Sequence, residues 1–411
     1  MHDHLVKLTH YAKTVGVMGL LVCGLLPWNA TAVNQSVLSE YTSVGSNAVE
    51  RLLAESLLQI SQGNLPQALQ EINRLIERVP NFKLAYLVRG DLLMARAKQL
   101  EAFGSRSENE AESVDQLREE AVVRIERYLE KRPENKLPNV LWQLNSQQKF
   151  AIVVNTAKSR LYVYQNNQGN LEYVTDFYVT IGKNGAGKLK EGDKRTPLGV
   201  YFSQIKLKDP LPDLYGNGAY PLNFPNELDR HLNVTGSGIW LHGTPSDTFS
   251  RPPRASDGCV VISNADLKAL EPILTMGDVP VIITNQFEWL SHDALSENQT
   301  LLAEAIEDWK NDWQSQNTDQ YLKHYSKHFF NQSMNFDIWA REKRRIQASK
   351  PKVQIKLLNT SMLEYPSERG KLVVVTFDQH FKSDVIDNKI RKRQYWHQEN
   401  GNWKIIYEGA V

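Results

Sequence analysis

The chain has 411 residues, 41% hydrophobic and 23% charged, a globular composition with room for two or three cores and none for disorder of the whole chain. Lys and Arg number 48 against 47 Asp and Glu, so no global field steers the protein onto nucleic acid or anionic lipid, and a partner must be recognised locally. Two cysteines, Cys23 and Cys259, exclude a disulfide framework and a thiolate-rich zinc site.

Residues 1–32 read as a secretory signal. Lys7 and Lys13 precede a mainly apolar run from Val15 to Leu26, and Ala30-Thr31-Ala32 supplies the small-x-small cleavage pattern. The run is shorter than the roughly 20 residues of a membrane span, and Val22 before Cys23 is bulky where a lipoprotein site wants a small residue. The expectation is export to the periplasm, with cleavage after Ala32 leaving Cys259 as the single cysteine. An unpaired thiol in an oxidising compartment is either inert packing or a working nucleophile.

From Asn47 to about Lys131 the pattern is helical, with Leu52, Leu53, Leu57 and Ile60, then Ala68, Leu69, Ile72, Leu75 and Ile76, recurring at three and four. Gly63, Ala68, Pro80 and Gly90 fit a tetratricopeptide pattern, but over little more than one unit where a solenoid needs about three. A small helical module over residues 46–135, used for docking or homodimerisation, is the expectation. Ser105 to Glu120, charged and poor in apolar residues, reads as an exposed loop or helix extension.

At Lys149 the period changes to two. Ala151–Asn155, Arg160–Tyr164, Tyr173–Ile181, Gly199–Ile205 and Val279–Ile283 are rich in Val, Ile, Tyr and Phe, which predicts an all-β segment with hairpins over 149–286. A polar linker is expected around Ser291 to Gln299. Leu302, Ile306, Trp309 and Trp313 then form a helical stripe, a second helix is expected to carry Tyr321 and Tyr325, and a third spans Ile338 to Ile346. Strand-like runs at Val353–Leu358, Leu372–Phe381, Ile390–Gln398 and Trp403–Tyr407 follow. Helices first and antiparallel strands afterwards predict an α+β domain over 297–411. The fold class is thus multidomain α and β: a helical module, a β-rich domain and an α+β domain.

The chemistry concentrates in Gly238-Ile239-Trp240-Leu241-His242-Gly243-Thr244-Pro245 and Arg251-Pro252-Pro253-Arg254-Ala255-Ser256-Asp257-Gly258-Cys259-Val260. A strand ending in His-Gly, and a glycine before the cysteine, would hold an imidazole and a thiol on tight turns. A thiol with a free pKa of about 8.5 needs a neighbouring histidine or oriented amides to become strongly nucleophilic. Other signals are weaker. Gly182-Lys183-Asn184-Gly185-Ala186-Gly187-Lys188 nearly spells a phosphate loop, but Leu189 stands where Ser or Thr is required and no helical pattern follows, so a hairpin loop is expected. His324 and His328, one helical turn apart, lack the intervening Glu of a zincin and read as a surface face. The Trp309, Trp313, Tyr321 and Tyr325 stripe reads as core.

The segment from about 150 to 285 resembles the catalytic domain of the YkuD-type L,D-transpeptidases. The resemblance rests on His242, the sixteen residues that follow it, Ser256-Asp257-Gly258-Cys259, and the Thr196-Pro197-Leu198-Gly199 turn. Asp257 and Val261 stand where the common pattern has histidine and arginine. They are similar to a divergent branch, together with Asn223-Phe224-Pro225-Asn226, Trp240 to Pro245 and Arg251-Pro252-Pro253. The last domain resembles the cone-shaped nuclear-transport-factor-like fold, and the combination resembles cell-shape L,D-carboxypeptidases.

The resemblance implies peptidoglycan stem peptides as substrate, Cys259 as nucleophile, His242 as base and Gly243, through its carbonyl, as the group that orients the imidazole. Gly258 and Cys259 would offer oxyanion amides, and Ser256, Asp257, Arg251 and Arg254 would lie on the substrate side, the arginines gripping a stem carboxylate. It implies no cofactor and no metal. Trimming of tetrapeptide to tripeptide is the favoured outcome. The alternatives are transpeptidation, which forms cross-links or attaches or detaches a wall-anchored protein, and a non-catalytic wall-binding scaffold.

Overall fold

The computed structural model describes residues 46–95, 111–208, 210–348 and 352–411. The expected signal segment, Cys23 and the first part of Ser105–Glu120 lie outside them. The chain divides into two compact units: one runs to Glu130 and includes Asp247–Pro252, and the other comprises Lys131–Ser246 and Pro253–Val411.

The first unit contains α1 (Ser46–Ser61), α2 (Leu65–Arg78), α3 (Lys83–Ala95) and α4 (Ala111–Leu129). In α2 a proline sits in the first turn, where its missing N–H has no helical partner to lose, and Ala68, Leu69, Ile72, Leu75 and Ile76 are buried along one face. They pack with Leu53, Phe82, Leu84 and Val88. Residues 111–120 belong to α4, which makes them a helix and not a loop. Asp247–Pro252 is sewn into this unit from far along the sequence. The Phe249 ring lies 5.0 Å from Phe82, its N–H donates to Asn81 O at 3.1 Å, and Ser250 Oγ donates to buried Glu120 at 2.6 Å. Arg124 pairs with both Glu120 and Glu50.

The second unit opens with β1 (Lys136–Pro138) and β2 (Leu141–Gln143), then β3 (Phe150–Asn155), β4 (Arg160–Asn167), β5 (Asn170–Tyr178), β6 (Ile181–Gly182), β7 (Gly199–Phe202) and β8 (Ala219–Pro221). Helix α5 (Glu227–His231), β9 (Trp240–His242), β10 (Arg254–Ser256), β11 (Val260–Val261), helix α6 (Asn264–Leu274), β12 (Pro280–Thr284) and β13 (Trp289–Ser291) follow. The expected all-β segment therefore holds two helices. Ser263 starts α6 by accepting the Asp266 N–H at 3.1 Å, and Leu267, Leu270, Ile273 and Leu274 give it a buried face.

The main sheet has the order β5-β4-β3-β12-β7, with β12 parallel to β3 and antiparallel to β7. Successive residues of a strand face opposite ways. Ala151 and Val153 enter a core continuous with the last domain, whereas Ile152 and Val154 enter a second core with α6. Burial on both faces is why β3 reads as an unbroken apolar run. The smaller sheets are β11-β9-β8, β10-β6 and β1-β13.

The last domain comprises α7 (His292–Gln314), α8 (Thr318–Lys323), β14 (Tyr325–Phe330), α9 (Phe336–Gln347), β15 (Val353–Tyr365), β16 (Leu372–Ser383), β17 (Asp387–Glu399) and β18 (Asn402–Ala410). Its sheet has the order β14-β18-β17-β16-β15-β2. The expected linker at Ser291–Gln299 is instead the start of α7, because Ser291 Oγ accepts the Ala294 N–H at 3.3 Å and caps it. Tyr325 opens β14 and does not continue the helix of Tyr321. His324 and His328 therefore share no helical face, and His324 Nε2 lies 2.8 Å from Asp312 instead. Trp309, Trp313 and Tyr321 are core. Leu141 and Gln143, upstream of the expected β-rich domain, add the edge strand beside Leu363 and Met362.

Candidate active site

β9 ends at His242, a residue only 2% exposed. Its Nδ1 lies 2.7 Å from Gly243 O. A carbonyl only accepts, so Nδ1 carries the proton and Nε2 keeps its lone pair, the tautomer a general base requires. The Tyr215 ring meets the imidazole edge-on at 5.1 Å. Gly243 N–H points at Tyr215 O and Gly218 O, 3.2 and 3.3 Å away. A side chain at Gly243 would collide with Asn264 Oδ1, only 2.1 Å from an added Cβ. Asn264, the first residue of α6, spans the turn by accepting Asn217 N–H at 2.9 Å and donating to Thr244 O at 2.8 Å.

β11 runs parallel to β9, with Val260 beside Leu241 and Val261 beside His242, and Ile262 N–H donates to His242 O at 3.0 Å. Cys259 is the residue before β11, so the thiol and the imidazole come from adjacent strands. The half-buried thiol lies 3.4 Å from Gly238 O and is not in a disulfide. Gly258 has φ +127°, and an added Cβ would lie 2.8 Å from Arg195 O, which is why glycine precedes the cysteine.

Ser256 and Gly258 do something other than expected. Ser256 Oγ accepts the Gly258 N–H at 3.1 Å and donates to Cys259 O at 2.7 Å. The Gly258 amide thus closes the turn and is not presented to an oxyanion, and buried Ser256 holds the turn and does not reach toward substrate. Thr196, absent from the expected site, completes this clasp: fully buried, its Oγ1 donates to Gly258 O at 3.0 Å and accepts Gly182 N–H at 2.9 Å. The signal for it was the Thr-Pro-x-Gly turn itself.

Asp257 is exposed and lies 3.3 Å from exposed Lys183, a pair worth little. Arg254 starts β10, while Arg251 belongs to the segment packed with the helices, so the two arginines fall in different units. The phosphate-loop look-alike carries its own anion. Lys188 Nζ binds Asp193 at 2.8 Å, and the N–H groups of Leu189, Lys190 and Arg195 donate to the same carboxylate. Although burial opposes it, this set of donors holds Asp193 well below the usual carboxylate range. Among the described residues no group of three or more His, Cys, Asp or Glu is placed to hold a metal ion, and no helix is long and apolar enough to cross a membrane.

A buried histidine whose Nδ1 meets a carbonyl, and a cysteine held by glycine and threonine just before the neighbouring strand, make up the candidate site. Residues 149–283 match the family model of the L,D-transpeptidase catalytic domain, YkuD, and residues 301–409 match that of the Cds6 C-terminal NTF2-like domain; the chain carries both domains in that order. Among solved structures, Bd1075 of Bdellovibrio bacteriovorus is similar at 27% identity with a TM-score of 0.59, covering 67% of this chain and 99% of that one. The helical cell shape determining protein Pgp2 of Campylobacter jejuni is similar at 25% identity with a TM-score of 0.58, covering 66% of this chain and 95% of that one. No curated protein sequence matches the chain.

Proposed function

We propose that this is an exported peptidoglycan-modifying enzyme that cleaves the L,D bond between the position-three diamino acid and D-alanine of a stem tetrapeptide and hands the acyl group to water. The observation that carries the reading is the 2.7 Å contact between His242 Nδ1 and the Gly243 carbonyl, which leaves Nε2 as base beside the strand that begins after Cys259. Nε2 takes the thiol proton as Sγ attacks the carbonyl carbon of the L-centre. The tetrahedral adduct collapses to a thioester as the imidazolium gives that proton to the departing D-alanine nitrogen. The Gly243 carbonyl stabilises the imidazolium between those transfers. Water then adds to the thioester, losing its proton to Nε2, and the thiolate leaves with a proton returned from the imidazolium.

Hydrolysis is favoured over cross-linking because the acceptor side lacks the arginine of the common pattern. At that position stands Val261, buried and paired with His242. The similarity to a cell-shape determining protein supports a role in modifying the wall. The test is incubation of purified tetrapeptide muropeptides with the protein and mass analysis of the products. Tripeptide with free D-alanine is expected. Direct cross-links without tripeptide would make it a transpeptidase, and unchanged muropeptides would leave the scaffold reading.

A further inference from the structure

The clasp on the cysteine turn continues into a buried polar network that reaches the NTF2-like domain. Thr196 is one end of the Thr196-Pro197-Leu198-Gly199 turn. At the other end an added Cβ on Gly199 would lie 2.6 Å from the Tyr365 hydroxyl and 2.8 Å from that of Tyr201. The two tyrosines therefore press directly on the turn. The Tyr201 hydroxyl lies 3.1 Å from Asp229 and 3.2 Å from Leu198 O, with one proton to share between them. Asn226 Nδ2 donates to Val200 O and to the Tyr365 hydroxyl, each at 3.2 Å, and the Tyr365 hydroxyl in turn lies 3.5 Å from Asp229. Tyr365, Tyr201, Asn226 and Asp229 are all buried, so each lost bond leaves an unpaired polar group and the set holds one arrangement.

We propose that Tyr365, at the end of β15, is a positioning residue for Cys259, acting through the Gly199 and Thr196 ends of one turn. The NTF2-like domain then supplies part of the catalytic geometry from a strand of its own. The turn is bonded on one side by the Tyr201 hydroxyl and approached closely by that of Tyr365, and on the other side bonds Gly258 O; a misplacement of about 1 Å near a reacting atom costs on the order of a hundredfold in rate. The activity readout rests on the proposed hydrolase reaction, so the experiment also measures the thiol directly.

In Tyr365→Phe the rate of Cys259 alkylation by iodoacetamide across pH 6–9 should fall several-fold below wild type at neutral pH. D-alanine release should lose kcat by about tenfold with KM little changed. Thr196→Val should do the same more strongly, and Thr196→Ser, which keeps the hydroxyl, should recover the alkylation profile. A Tyr365→Phe protein with a lower unfolding midpoint but wild-type alkylation and kcat would make Tyr365 a packing residue and overturn the proposal. Slowed alkylation in a series whose wild type releases no D-alanine would uphold the positioning role and count against the hydrolase instead.

Discussion

Gly258→Ala probes whether the cysteine turn is as tightly constrained as its contacts indicate. With φ at +127° an L side chain is strained before any clash, at a cost of about 1–3 kcal/mol. The new Cβ would also stand 2.8 Å from Arg195 O and 3.1 Å from Ile239 Cδ1, whereas ordinary contact begins near 3.4 Å. The first of these neighbours is backbone and cannot rotate away. One side must retreat by roughly half an ångström, and the 3.0 Å bond from Thr196 to Gly258 O moves with it. Together these amount to about 2–4 kcal/mol of stability, a fall of about 5–10 °C in unfolding midpoint for a unit of this size. Because Cys259 is the next residue, turnover should drop by at least about tenfold. Gly192→Ala is the control, since its φ is +74° but nothing lies within 4 Å of an added Cβ; it should cost about 1 kcal/mol and leave the rate alone. Thermal unfolding by circular dichroism and D-alanine release measure the two effects. A Gly258→Ala protein no worse than Gly192→Ala in both would refute the steric argument.

Cys259→Ala should abolish D-alanine release without lowering the unfolding midpoint, and His242→Ala should slow alkylation of Cys259 at pH 7 by at least about tenfold; alkylation at the wild-type rate would remove His242 from thiol activation. In the NTF2-like domain, burial would raise the Glu408 carboxyl, but Lys392, Lys343 and the Gln394 amide overcome it and hold the pKa at about 2 against an ordinary 4.5. A depressed folded pKa contributes stability that is present above 4.5 and lost as pH falls toward 2. Denaturant unfolding at pH 5 and pH 2.5 should therefore show wild type losing about 2 kcal/mol more than Glu408→Gln, and parallel losses would contradict the assignment. N-terminal sequencing of the protein from a periplasmic fraction should begin at or within a few residues of Val33, and a functional protein retaining Met1 in the cytoplasm would overturn the export proposal.

The β-hairpin strands and β15–β18 of the last domain were readable because their alternation or continuous burial leaves a local trace, and the spacing of His242 to Cys259 was readable as a motif. Helix α6 was missed although Ser263 and Asp266 spell its cap; its stripe is short, and Pro272 lies inside it. The linker before Leu302 was misread because its polar residues form the first turns of a helix whose buried face begins with Leu295. β2 carries too few residues for a period to show, and it becomes a strand only because the exposed edge of β15 accepts it. Tyr365 and Asp229 meet across 136 residues, a distance over which no local pattern speaks. Ser256 was assigned to substrate because its motif position was known and its hydrogen bonds were not.

The path of the chain through Asp247–Pro252 bears on how this protein can be cut, transplanted or inherited. A fragment starting at Lys131 would hold every residue of the matched YkuD stretch, yet it would leave Phe249 without the Phe82 ring and Ser250 without the Glu120 carboxylate. The segment between His242 and Cys259 therefore takes two of its contacts from the N-terminal helical unit. A gene fusion that swapped those helices for another module would have to rewrite the six residues Asp247–Pro252 as well. In this chain the unit to be moved intact is longer than the stretch that matches the YkuD model.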